Sequence, residues 1–200
     1  MPKINAATID EHKEKTRAAL LEAGATAFQV YGLAGTSIGA LADEAGIART
    51  TVYEYFPNKD AVLAELIYER FPPIAERILD DLPSDPVDRC SEIMQRSMMF
   101  VREYPVVTTL LFKVSRELPK PERDAVWSVV HPIRDEVREQ CRKLVASGQL
   151  PGVDPGSLGM TIADHVIGGI DELSERGEEH AEVIIATRVG FLRRGLGVTD

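Results

Sequence analysis

The chain has 200 residues, of which 44% are hydrophobic, 6% aromatic and 28% charged, and it carries a net charge of −9. That length supports a sizeable core in one large or two small domains, and no apolar run approaches the roughly 20 residues a bilayer-spanning helix needs. The acidic balance excludes loose, charge-driven attachment to nucleic acid, because an acidic surface repels a polyanion.

Residues 1 to about 10 read as a polar arm without the apolar centre of a secretory signal, so a cytoplasmic location is expected. The first long helix is predicted from about Asp10 to Tyr31. Thr16, Leu20, Ala23, Ala27 and Phe28 form its apolar stripe, and Gly32 stops it. The stretch Thr36 to Lys59 reads TSIGALADEAGIARTTVYEYFPNK. Before Gly46, helical spacing gathers Ile38, Leu41, Ala42 and Ala45 on one face; after it, Ile47, Val52, Tyr55 and Phe56 share another. Gly46 can take the left-handed backbone that ends a helix, and Ala42 is small enough for a second helix to cross close by. Two short helices on a tight turn make a helix-turn-helix, whose second helix fits the DNA major groove. Arg49, Thr50, Thr51, Tyr53 and Glu54 point outward from it.

A connecting helix is expected to begin at Pro57 and Asn58 and run to Arg70, where Pro72 and Pro73 force a kink or restart. Leu82 to Pro86 is a break. Further helices are predicted over Val87–Glu103, Val106–Arg116, Glu122–Ser147 with a kink at Pro132, Ser157–Arg176 and Glu178–Arg194. Gly168 and Gly169, unfavourable inside a helix, signal a close approach by another helix. The chain is therefore read as all-α.

The Thr36–Lys59 residues resemble the DNA-binding domain of the TetR family of one-component regulators. The match runs through Thr36-Ser37-Ile38, Leu41-Ala42, Ala45-Gly46-Ile47, Thr51-Val52-Tyr53, Tyr55-Phe56 and Lys59, with Ala23, Ala27, Phe28 and Gly32 before it. The resemblance implies a three-helix DNA-binding domain over residues 1–57 and a helical effector-binding and dimerisation domain over 58–200. It also implies a homodimer on palindromic operator DNA, released by a small apolar or aromatic effector. Arg49, Thr50, Thr51 and Tyr53 would read bases, while Thr36, Ser37, Tyr55 and Lys59 would hold the backbone. Ala48 departs from the family, which often has Ser there to cap the recognition helix; losing such a cap typically costs about 1 kcal/mol. Gly39 also weakens the first helix of the motif. Residues 1–60 hold six Lys/Arg against eight Asp/Glu, so Lys13, Lys15, Arg17, Arg49 and Lys59 must be well placed to meet phosphates.

For the effector pocket the resemblance points to Met94, Met98, Met99, Phe100, Phe112, Trp127, His131 and His165, a soft lining suited to an apolar molecule. For each of these residues taken alone, core packing is the favoured reading. Ile162, Val166, Gly169, Ile170, Ile185 and Val189 on the last two helices are the candidate dimer interface, an internal helix pair being the alternative. Cys90 and Cys141 lack metal-ligand spacing and read as small buried residues. No nucleophile with a paired base, no metal-ligand run and no phosphate loop is found, so no catalytic residue, metal or cofactor is expected. The competing class is a small-molecule-binding or enzymatic helical protein with a vestigial helix-turn-helix.

Overall fold

The computed structural model describes residues 6–198; of the polar arm expected over residues 1 to about 10, residues 1–5 lie outside the described residues and residues 6–10 already belong to the first helix. Its helices are α1 (Ala6–Gly35), α2 (Ile38–Ala45), α3 (Arg49–Tyr55), α4 (Lys59–Arg70), α5 (Pro72–Leu79) and α6 (Pro86–Glu103). They continue with α7 (Pro105–Thr108), a π turn (Thr109–Lys113), a 3-10 turn (Val114–Glu117), α8 (Lys120–Trp127), α9 (His131–Ala146), α10 (Pro155–Arg176) and α11 (Ala181–Gly195). The described residues contain no strand. None of these helices is long and apolar enough to cross a membrane.

Two compact units divide the chain, the first running through Phe71 and adding Val106–Val129, the second comprising Pro72–Pro105 and the residues from Val130 onward. In the first, α1 lies on α2 and α4. Leu20, Phe28, Leu41, Val52, Leu63, Leu66 and Ile67 are fully buried, each such aliphatic side chain contributing about 2 kcal/mol. A Cβ at Gly24 would lie 2.8 Å from Val62 Cγ1, so the α1–α4 approach depends on that glycine. Arg17 bridges from α1 to Glu65 and, at 3.3 Å, to Glu69, and Arg70 reaches back to Glu22. Because α4 packs on α1, the first unit continues past residue 57.

In the second unit α6 packs against α5, α9, α10 and α11. Asp85 starts it by accepting from the amides of Val87 and Asp88 at 2.9 Å, as an N-cap should. Its inward face buries Val87, Cys90, Ile93, Met94 and Met98. Cys90 and Cys141 hydrogen-bond each other, and that bond together with burial pushes the Cys90 thiol up.

Gly32 interrupts the first helix as expected, with φ 68° and ψ 178°, and residues 33–35 add one further turn beyond the break. The structure corrects two of the later helices. The single helix expected over Val106–Arg116 is instead α7, the π turn and the 3-10 turn in succession. The single helix expected over Glu122–Ser147 is two, separated by a 3-10 turn at Ser128–Val130. Pro132 has no N–H to return to Ser128, so it stands in the first turn of α9 instead of bending a continuous helix.

Candidate nucleic-acid interface

Gly46 closes α2 with φ 67° and ψ 31°, the left-handed cap its position in the sequence calls for. Its amide returns to the Ala42 and Asp43 carbonyls, and Ile47 N–H donates to Ala42 O at 3.0 Å. The chain then enters α3 through Ala48, extended at φ −70° and ψ 142° with no side-chain cap. Val52 and Phe56 are buried beneath α3. Arg49, Thr50, Tyr53 and Glu54 are thereby left exposed on its outer face, with Thr51 and Tyr55 half-buried. Arg49 Nη2 lies 3.4 Å from Tyr53 Oη, and its guanidinium stands 6.0 Å from the ring centroid. The pair sits one helical turn apart and holds the guanidinium against the outer surface of α3.

The residues flanking α3 divide differently from expectation. Ser37 is exposed and caps α2, its Oγ accepting from Ala40 N–H at 3.1 Å. Thr36 is only 3% exposed and donates its hydroxyl to Gly32 O at 2.8 Å, so it has no hydroxyl to offer a phosphate. Lys59 Nζ donates to the carbonyls of Leu33 at 2.6 Å and Thr36 at 2.9 Å. Arg17 is turned to Glu65 and Glu69, whereas Lys13 and Lys15 are exposed. A residue the sequence did not single out, Glu117, accepts from Ala34 N–H at 2.7 Å.

Residues 20–66 match the family model described as bacterial regulatory proteins, tetR family. Over those residues the chain carries a TetR-type DNA-binding domain. A 65-residue stretch is 43% identical to the HTH-type transcriptional regulator EthR of Mycobacterium tuberculosis, covering 32% of this chain and 30% of that protein. The chain thus spans under a third of that relative. Over most of its length it shares a fold with two solved structures. FadR from Bacillus subtilis, in complex with stearoyl-CoA, superposes with a TM-score of 0.73 at 15% identity, over 91% of this chain and 99% of that one. AibR, in complex with isovaleryl coenzyme A and operator DNA, gives 0.70 at 20% identity, over 88% and 97%.

The residues expected to line an effector pocket have several settings. Met94 and Met98 are fully buried in the second unit, while Phe112 and Trp127 pair edge to face at 5.3 Å in the first. Met99 is 37% exposed and Phe100 is buried, stacked on Tyr104. His131 is exposed at the start of α9, which removes it from a buried lining. His165 lines a cavity of about 490 Å³ between α10 and α11, with Leu158, Ile162, Arg188, Phe191 and Leu196. Arg188 there donates to Glu172 Oε2 at 2.9 and 3.1 Å and to the His165 carbonyl at 2.9 Å. Hydrogen bonds from Arg188 and then Arg176 hold the Glu172 carboxyl below its usual range.

Of the dimer candidates, Ile162, Gly169 and Ile170 are buried within the protomer. A Cβ at Gly169 would stand 2.5 Å from Met98 Sδ and one at Gly168 3.2 Å from Arg188 Nη1, so the close approach signalled by the glycines is made by α6 and α11 of the same chain. Val166, Ile185 and Val189 are half-buried. The exposed large apolar residues of these helices are Met160, Val183 and Phe191, at 45, 65 and 64%. On α11, Val183 and Phe191 stand two turns apart with the exposed Thr187 between them, so the three make one outward stripe.

Proposed function

We propose that this protein is a DNA-binding transcriptional regulator that acts as a homodimer and is released from its operator by a small apolar ligand. The observation that carries this is the outer face of α3, where Arg49, Thr50 and Tyr53 are exposed over a buried Val52 and Phe56. A helix packed for presentation, with its polar residues facing outward, suits the major groove. Arg49 is the basic donor on that face and would read guanine. Thr50, Thr51 and Tyr53 would complete the base contacts, with Ser37 and Tyr55 on the backbone. Thr36 and Lys59, whose polar groups are engaged inside the fold, are assigned to holding the α1–α2 connector. Residues 1–57 then serve as the reading part and 58–200 as the effector and dimer part.

The exposed stripe of Val183, Thr187 and Phe191 is the surface proposed to meet a second copy; the half-buried Ile185 and Val189 lie about 180° round α11 from it. The single hydroxyl of the stripe, on Thr187, sits between two large apolar side chains. Two copies place two α3 helices on successive grooves, so the operator should be partly palindromic. FadR of Bacillus subtilis and AibR carry acyl-CoA thioesters in the same fold, which favours an effector with an acyl chain. Such a ligand acts by preferring one head spacing over another, and its effect is limited by that differential affinity.

Selection of bound fragments from a random duplex pool tests the reading. Arg49→Ala should relax base preference at one position of each half-site; an equal loss on every sequence would make Arg49 a phosphate contact instead. Among the described residues Lys13, Lys15 and Arg49 are the exposed cations of the reading part. A dimer should therefore show a log–log salt slope of about −5 or shallower, and a slope of about −10, the steepness of a repressor with many phosphate contacts, would contradict the charge placement.

A further inference from the structure

The last turn of α1, beyond the Gly32 break, holds a single peptide group between opposite charges. Lys59 Nζ donates to the Leu33 carbonyl at 2.6 Å, and the amide of that same peptide, Ala34 N–H, donates to Glu117 Oε2 at 2.7 Å. The cation sits at the oxygen end and the carboxylate at the hydrogen end, so each bond polarises the amide in favour of the other. Lys59 adds a bond to the Thr36 carbonyl at 2.9 Å, one residue before the Ser37 cap of α2. On the far side, a Cβ at Gly32 would lie 2.7 Å from Glu117 Oε1, and Gly32 holds φ 68° with ψ 178°. Only glycine adopts that backbone readily, and its missing side chain is what admits the carboxylate.

Glu117 closes the 3-10 turn that follows the π turn Thr109–Lys113. A π turn takes up more chain per turn than an α turn, so changing that stretch by one residue of register would swing Glu117 by about 100°. We propose that Glu117 is a positioning residue for operator reading. Its grip on Ala34 fixes the pose of α2 and hence of α3, and the register of residues 109–117 decides whether the grip is made. This deepens the regulator reading above and rests on it.

The test uses the full-length protein with Glu117→Ala and Glu117→Gln, since glutamine keeps an acceptor oxygen at the same reach. Two quantities are read: amide exchange at Ala34 in the free protein, and affinity for a duplex selected by the unaltered protein. Glu117→Ala should speed Ala34 exchange and weaken operator binding, each by roughly tenfold. Glu117→Gln should recover most of both losses, with exchange at Leu63–Ile67 in α4 unchanged. Unchanged Ala34 exchange in Glu117→Ala overturns the proposal, as does faster exchange with undiminished operator affinity. Equal acceleration throughout α4 also overturns it, because the loss is then one of general stability. Failure of the unaltered protein to select any duplex overturns the regulator reading and this role with it; a selected duplex bound equally well by Glu117→Ala overturns this role alone.

Discussion

Ala48→Ser isolates the one element of the reading helix that the sequence leaves incomplete. Ala48 already has the extended backbone an N-cap requires, φ −70° and ψ 142°, so serine can enter without moving the chain. The Ala48 carbonyl accepts from both Thr51 N–H at 2.9 Å and Val52 N–H at 3.3 Å. A serine Oγ would take an amide at the second or third position of α3, relieving that shared acceptor. Such a cap contributes about 1 kcal/mol, a factor of roughly five in a local opening equilibrium. Because α3 has only seven residues, its first turn is a large part of the helix. Amide exchange by NMR at Arg49 to Thr51 is the assay, with Leu63 to Ile67 of α4 as internal reference. Exchange should be rapid in the unaltered protein and about fivefold slower in Ala48→Ser, the α4 amides staying as they were. Strong protection of Arg49 to Thr51 without the cap, or no slowing on adding it, would refute the view that this helix starts frayed.

Gly169→Ala should destabilise the second unit by about 1–3 kcal/mol, because the new methyl would meet Met98 Sδ, on a fully buried side chain, at 2.5 Å. Urea midpoints of the variant and of Gly195→Ala, where nothing lies within 4 Å, should separate; equal midpoints would mean that Met98 moves aside freely. Acidification should loosen the α10–α11 contact. The Glu172 carboxyl is held below its usual value by Arg188 and Arg176, so its contribution is complete above the unfolded carboxylate range and is lost as pH falls through the folded value. Thermal midpoints measured from neutral pH down into the carboxylate range should fall less in Glu172→Gln than in the unaltered protein, and parallel curves would remove Glu172 from the acid response.

Some of this was legible in the residues and some was not, for physical reasons. Gly46 announced its left-handed cap because only the local backbone is involved, and the apolar spacing of Leu41, Val52 and Phe56 fixed which faces turn inward. Proline positions marked the helix ends, although Pro132 began a new helix where a kink was expected. Thr36 and Lys59 misled because a hydroxyl or ammonium that suits a phosphate suits a backbone carbonyl equally well, and spacing does not tell the two apart. Glu117 was invisible: its partner Ala34 lies 83 residues away, and a carboxylate in a polar stretch looks like any solvated charge. Gly169 signalled a close neighbour, but periodicity names the face and not the occupant, which is Met98 of the same protomer. The residues expected around an effector included His131, which exposure at a helix start sets apart; short-range pattern does not foresee which helices break.

The claim on which the rest depends is that α3 is held outward to read a duplex. Its most direct measurement is retention of random duplex fragments at moderate salt by the unaltered protein and by a Thr50→Ala, Tyr53→Ala variant, with circular dichroism confirming equal helix content. The unaltered protein should enrich a partly palindromic sequence, and the variant should lose that enrichment. Enrichment that survives the double substitution, or its absence from the unaltered protein, would contradict the claim.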